Sequence, residues 1–235
     1  MALVMKNKLN NIFEKFYVIN IDPNSERMQR IRNELEGIPY ERFPAITSFG
    51  KELAKNERLC VKPLEVCITL SHLAIIRKAK EQNLKSVVIF EDDIYFDNDF
   101  AIYDLDLIKD FTKKNDWALF YLGGIHVKAP SLTGVGIARI SSTLATHAYA
   151  INGKYFDLII NQIESNKLRM PLDIFYAYFI QKNFPCYCCC PRLILQDSIK
   201  EYVPYLKDVI NNNVFQLKLF PLMLEHTEWY QWLPK

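Results

Sequence analysis

The sequence predicts an α/β fold, a single domain with a sheet flanked by helices, and three observations carry that expectation. The run Val87-Val88-Ile89-Phe90 drives four apolar residues, rich in β-branched types, into the consecutive carboxylates Glu91, Asp92 and Asp93. This is the pattern of a buried strand ending in an acid cluster. Up to that run, strand-like and helix-like periodicities alternate, as they do where helices cross over between parallel strands. The chain has 235 residues, of which 50% are hydrophobic and 24% charged, enough to close one sizeable core. In such sheets ligands collect outside the carboxyl ends of the strands, and carboxylates placed there commonly hold a hard divalent cation against phosphate oxygens.

Phe16-Tyr17-Val18-Ile19-Asn20-Ile21-Asp22 reads as the first strand, and Pro23-Asn24-Ser25 leads into a helix with Met28, Ile31 and Leu35 on one face. Asn24 or Ser25 can cap that helix, Glu26 suits its positive end, and Gly37 stops it. Arg27 stands out, because a cation in the first turn opposes the helix dipole; a bound anion, or a surface pair with Glu26 or Glu41, resolves the conflict. A short strand is expected over residues 40–46. Pro63 then precedes a long amphipathic helix over 64–82 that buries Leu64, Ile68, Ile75 and Ala79 and carries Ser71 and His72. Residues 116–122 form another strand, ending at Gly123-Gly124, where the missing side chains let a ligand approach the backbone or simply turn the chain. Shorter strands follow over 137–141 and 144–151, and helices over 155–163 and 174–181. No internal repeat, low-complexity tract or long linker divides the chain.

A formal net charge of +2, with the two signs interspersed, excludes the concentrated basic face that nucleic acid requires. Ahead of the first lysine the N-terminus offers only Ala2-Leu3-Val4-Met5, too short for the apolar region of a signal peptide, and no stretch reaches the ~20 apolar residues of a membrane span. A cytoplasmic protein is expected. Four of the six cysteines lie in Cys186-Tyr187-Cys188-Cys189-Cys190, where the neighbours Cys188 and Cys189 point to opposite faces of a strand and no Cys-x-x-Cys spacing or nearby His completes a zinc set. They read as a buried, thiol-lined strand. The aromatic end, Trp229-Tyr230 and Trp232, packs on its own domain or else lies weakly against a membrane surface or a partner.

Laid out in order, the motifs resemble glycosyltransferase family 25. They are Val18-Ile19-Asn20-Ile21-Asp22 with Glu26-Arg27, then Tyr40-Glu41-Arg42-Phe43-Pro44-Ala45-Ile46, Leu70-Ser71-His72 and Ile89-Phe90-Glu91-Asp92-Asp93. Leu122-Gly123-Gly124, Ala148-Tyr149-Ala150-Ile151 and Pro171-Leu172-Asp173 complete the series, so the resemblance spans roughly residues 16–200 and leaves a C-terminal extension over 201–235. It implies a GT-A type fold, a Rossmann-like mixed sheet flanked by helices, and a UDP-sugar donor bound through Mn²⁺ or Mg²⁺. By the same resemblance Asp93 is the direct metal ligand, with Glu91 and Asp92 contacting the ion, its waters or the ribose. Asn20, Asp22 and Arg27 fall where the first strand of such a sheet meets uridine and its phosphates. Ser71, His72, Gly123 and Gly124 join the donor site.

The activity implied is inverting transfer of a hexose, galactose or glucose, to a hydroxyl of a glycan or a hydroxylysine-type side chain, as in lipopolysaccharide biosynthesis. Such a reaction needs a base on the acceptor side. Asp173 is the candidate, although an Asp beside a helix start is also a common N-cap; His147 is the second. His72 has an equally ordinary alternative as a hydrogen-bonded structural histidine. Two other classes fit the acid cluster, a metal-dependent phosphotransferase and a non-catalytic glycan-binding protein on a transferase scaffold. The first lacks an Asp-x-Asp-x-Thr nucleophile pattern and a phosphate loop. The second gives no reason to keep three repelling carboxylates together.

Overall fold

The computed structural model describes residues 6–49, 62–97, 104–134, 136–166 and 170–197. The C-terminal extension, with Trp229, Tyr230 and Trp232, lies outside the described residues, as do residues 50–61.

Strand β1 (Lys15–Asn20) is followed by α1 (Glu26–Glu34), β2 (Tyr40–Pro44), α2 (Pro63–Glu81) and β3 (Ser86–Glu91). Short β4 (Ile94–Phe96) precedes α3 (Leu105–Lys114) and β5 (Leu119–His126). The hairpin β6 (Ser131–Gly134) and β7 (Ile137–Arg139) then leads to β8 (Thr143–Asn152), α4 (Phe156–Asn166) and α5 (Leu172–Phe175), which continues as a π-helical turn over Tyr176–Ile180. Strands β9 (Cys186–Cys189) and β10 (Ile194–Gln196) close the described chain. Eight strands form one sheet in the order β2-β1-β3-β8-β5-β9-β7-β6, and β10 pairs with β4. The β2, β1 and β3 strands are parallel, whereas β8 runs antiparallel to both β3 and β5.

Local chemistry explains the anticipated elements. The Ser25 hydroxyl accepts the Met28 N–H and caps α1, and Gly37 takes φ +84° just beyond the helix, a conformation without steric cost only for glycine. Pro63 opens α2, where its missing N–H has no helical acceptor to lose. Side chains alternate across the sheet. Tyr17, Val87, Ile89, Tyr149 and Ile151 pack under α2, α4 and α5, while Phe16, Val18, Val88, Phe90, Ala148 and Ala150 pack under α1 and α3. Two cores result, one per face, and each fully buried large side chain contributes about 1.5–3 kcal/mol.

Three expectations need correction. Strand β5 continues through Gly123 and Gly124 instead of ending there, and it tolerates them because β5 slips register against β8 at these residues. Leu64 is 66% exposed, since it stands in the first turn of α2, ahead of the stretch that packs on the sheet. The helix expected over 174–181 begins at Leu172 and widens into a π turn, with the Gln181 N–H reaching the Tyr176 carbonyl. Strand β7 falls within the strand expected over 137–141, whereas helix α3 and strand β6 have no counterpart in the sequence reading; all four residues of β6 are exposed, so no buried face announces the strand. The cysteine strand is present as β9, with Cys186 and Cys188 in one core and Cys189 in the other. Burial pushes the Cys186 and Cys188 thiols up to about 12, which makes them inert packing groups.

Candidate functional site

Strand β3 delivers its acids to the carboxyl edge of the parallel strands, and the pleat then divides them. Glu91 follows Ile89 to the α2 side, whereas Asp92 comes to the side of Asn20, the last residue of β1.

On the Asn20 side the charges are paired. Asp92 accepts a hydrogen bond from the Asn20 amide at 2.7 Å and one from the Arg27 guanidinium at 3.1 Å. The Asn20 carbonyl oxygen Oδ1 in turn accepts from Arg42 Nε at 3.0 Å. Asn20 is therefore a buried positioning group that aims Asp92 and not an open contact for a ligand. Arg27 pairs with Asp92, and not with Glu26 or Glu41 as the sequence allowed; its side chain is 56% exposed, so it can also meet an anion. Asp22 is exposed and folds back on the chain, its carboxylate accepting the Asn24 N–H.

On the α2 side lies an open cleft of about 140 Å³, lined by Glu65, Ile68, Glu91, Ala145, Thr146, Leu172, Asp173 and Gln196. Glu91 accepts the Thr146 hydroxyl at 3.1 Å, and His72 Nε2 stands 3.6 Å from the same oxygen. Burial works to raise its carboxyl, but His72, His147 and the Thr146 hydroxyl outweigh that and hold Glu91 below the usual carboxylate range. His72 itself is fully buried, its Nδ1 2.9 Å from the Tyr149 hydroxyl and its ring stacked on Tyr149. It supports Glu91 from below and has no surface of its own to offer a donor.

Asp173 is not an N-cap. Pro171 occupies that position in α5, and the Asp173 carboxylate accepts the Ala145 N–H at 3.1 Å and the Ile174 N–H at 2.7 Å. Ala145 has φ +64°, a left-handed conformation that costs a residue with a Cβ about 1–2 kcal/mol. Asp173 secures that kink, and the kink presents Thr146 to Glu91. Burial raises the Asp173 carboxyl against these two backbone donors.

Glu65, in the first turn of α2, was not singled out by the sequence; its position three residues beyond Lys62 at a helix start gives it the look of an ordinary first-turn acid. In the fold it faces the other two carboxylates, and burial together with the charges of Asp173 and Glu91 pushes its carboxyl up to about 7. No hydrogen bond or ion pair engages its side chain among the described residues. Thr146 and Gln196 are further lining residues without a local sequence signal.

Asp93 contacts the Gln196 amide at 3.1 and 3.3 Å, and burial and the charge of Glu91 push its carboxyl up to about 6. Among the described residues no three His, Cys, Asp or Glu side chains form a complete metal cage. The Asp93 oxygens, hydrogen-bonded among the described residues to the neutral Gln196 amide, suit the arrangement in which a protein gives one or two carboxylates to Mg²⁺ or Mn²⁺ and phosphates and water supply the rest. Glu91 has one oxygen, Oε1, already engaged by the Thr146 hydroxyl with His72 Nε2 beside it.

Four other expected site residues lie inside the protein. The Ser71 hydroxyl donates to the Cys67 carbonyl and accepts the Ile46 N–H, tying the chain after β2 to α2. His147 is 1% exposed and does not line the cleft beside Glu91; neither ring nitrogen completes a hydrogen bond of good geometry among the described residues, the Ile194 carbonyl faces the ring, and burial pushes it down to about 4. A base must reach its substrate, so His147 is excluded from that part. A Cβ on Gly123 would fall against the Ile194 carbonyl and within 2.5 Å of His147 Nε2, and one on Gly124 would come within 2.6 Å of a Thr143 methyl. These glycines admit the protein's own backbone and side chains, not a ligand.

Residues 13–176 match the model of glycosyltransferase family 25 (LPS biosynthesis protein), and the chain belongs to that family. Among its relatives are a Haemophilus influenzae protein whose name places it among the glycosyltransferases, 30% identical over 114 residues, and a glycosyltransferase 25 family member of Drosophila pseudoobscura pseudoobscura, 28% identical over 145 residues. The matches span 43% and 54% of this chain but only 40% and 22% of those relatives. Among solved structures, A197 from STIV aligns over 77% of this chain and 81% of its own at 9% identity and a TM-score of 0.44. A glycosyltransferase involved in glycosylation of the major capsid of PBCV-1 aligns over 71% of this chain and 74% of its own at 10% identity, with a TM-score of 0.40. No helix among the described residues is long and apolar enough to cross a membrane.

Proposed function

We propose that this glycosyltransferase moves a hexose, galactose or glucose, from a UDP-sugar to a hydroxyl of a glycan or hydroxylysine-type acceptor, with inversion at the anomeric carbon. The observation that carries the reading is the division of one acid cluster between a charge-paired edge and an acidic cleft. The Asp92–Arg27 pair at the edge offers an exposed cation for a diphosphate and a carboxylate, aimed by Asn20, for ribose hydroxyls. Asp93 would share a Mn²⁺ or Mg²⁺ ion with donor oxygens, and that ion would neutralise the charge gathering on the departing diphosphate. The cleft beyond Glu91 would take the acceptor, and one of its carboxylates would receive the proton of the attacking hydroxyl.

The test is a screen of UDP-sugars with Mn²⁺, reading UDP release with and without lactose or hydroxylysine. Release that requires both a UDP-sugar and the ion is expected. Binding of UDP with no release under any condition would instead support a glycan-binding protein on a transferase scaffold.

A further inference from the structure

Resting on the transferase reading, we propose that Glu65 is the catalytic base, the group that takes the proton from the acceptor hydroxyl. Three carboxylates line the cleft, and their contacts separate them. Asp173 spends one oxygen on the Ala145 N–H and the other on the Ile174 N–H. Glu91 is held by the Thr146 hydroxyl with His72 beside it, and its depressed pKa makes it a weak base. Glu65 has no such donor among the described residues, and it is only half-buried, so a hydroxyl in the cleft can reach it.

The surroundings of Glu65 fit that task. Asp173 from α5 and Glu91 from β3 face it with negative charge, and Lys62, just ahead of α2, opposes them weakly. With burial as the largest cause, these groups bring its carboxyl to about 7, where a base is strong enough to accept a proton and still ionised in much of the population. In the transfer, the acceptor oxygen bonds to the anomeric carbon as its proton passes to the Glu65 carboxylate. The bond from that carbon to the diphosphate oxygen breaks, its electron pair leaving with UDP, and the Glu65 carboxylic acid later returns its proton to solvent.

The decisive variant is Glu65→Gln, which keeps the shape and removes the base. It is assayed in the full chain with Mn²⁺ and UDP-galactose or UDP-glucose, with lactose, hydroxylysine or water as acceptor. UDP release should fall by about 10²- to 10⁴-fold while the calorimetric affinity for UDP stays within about threefold of wild type. The acid limb near pH 7 in the wild-type kcat/KM profile should disappear, and Glu65→Asp should restore part of the rate. Release from Glu65→Gln within about threefold of wild type, or an acid limb that survives the substitution, would overturn the assignment while leaving the transferase reading in place. A wild-type chain that binds no UDP, or binds it and never releases UDP from a UDP-sugar, would refute the transferase reading and the base with it.

Discussion

On one side of the sheet's carboxyl edge, Asp92 is held between the Asn20 amide and the Arg27 guanidinium; on the other, Glu65, Glu91 and Asp173 line one cleft, and among the described residues the charge of Lys62 opposes the two acids acting on Glu65. A paired carboxylate has its position fixed by its donors and is suited to hold a ligand in place. An unpaired one in a half-buried cleft trades its proton near neutral pH, and is suited to chemistry. Neighbouring residues of one motif thus serve different purposes because a strand sends alternate side chains to opposite faces.

The largest expected effect tests the edge. Asp93→Asn should lower turnover by about 10²- to 10⁴-fold with folding intact, and a chelator should do the same to wild type, because a hard cation loses an oxygen ligand. Wild-type turnover by this variant in chelator would show that the edge needs no ion.

Asp173→Ala tests whether the cleft is braced from within. Two backbone N–H groups lose their acceptor, so unfolding free energy measured in urea should fall by about 2–4 kcal/mol. Adding Ala145→Gly should return about 1 kcal/mol, since glycine tolerates the left-handed conformation. An Asp173→Ala chain of unchanged stability would show that the kink stands without its brace.

The charge in the cleft predicts a pH signature. The Glu65 carboxyl is raised from 4.5 to about 7 in the folded chain, so the native state binds more protons than the unfolded state between those values, and stability falls as pH rises through that window. Glu65→Gln removes the penalty and should stabilise the protein by about 1–3 kcal/mol at pH 8, with the gain gone near pH 4. A gain independent of pH would contradict the crowding of charge. The smallest effect belongs to Arg27→Ala, whose exposed ion pair is worth less than about 1 kcal/mol in stability, while UDP affinity should drop about tenfold if the cation faces the diphosphate. Unchanged affinity by calorimetry would reduce the pair to a surface contact.

The sequence by itself determined the parallel half of the sheet, the capped helix α1, the long helix α2 and the acid-ended strand β3, because each rests on local periodicity, capping and turn chemistry. It also determined the family, whose motifs stand in order along the chain. What only the tertiary structure decided is which of those motif residues reach an open edge or cleft and which are buried. Ser71, His72, His147, Gly123 and Gly124 look like site residues in the sequence yet serve packing and support, since a motif records that a residue matters and not toward which side it points. Glu65 and Thr146 carry no local signal and join the cleft only when α2 and β8 are brought beside β3. Their chemistry comes from proximity: burial and two neighbouring charges, contributed by elements far apart in the chain, make an ordinary first-turn glutamate titrate near neutral pH.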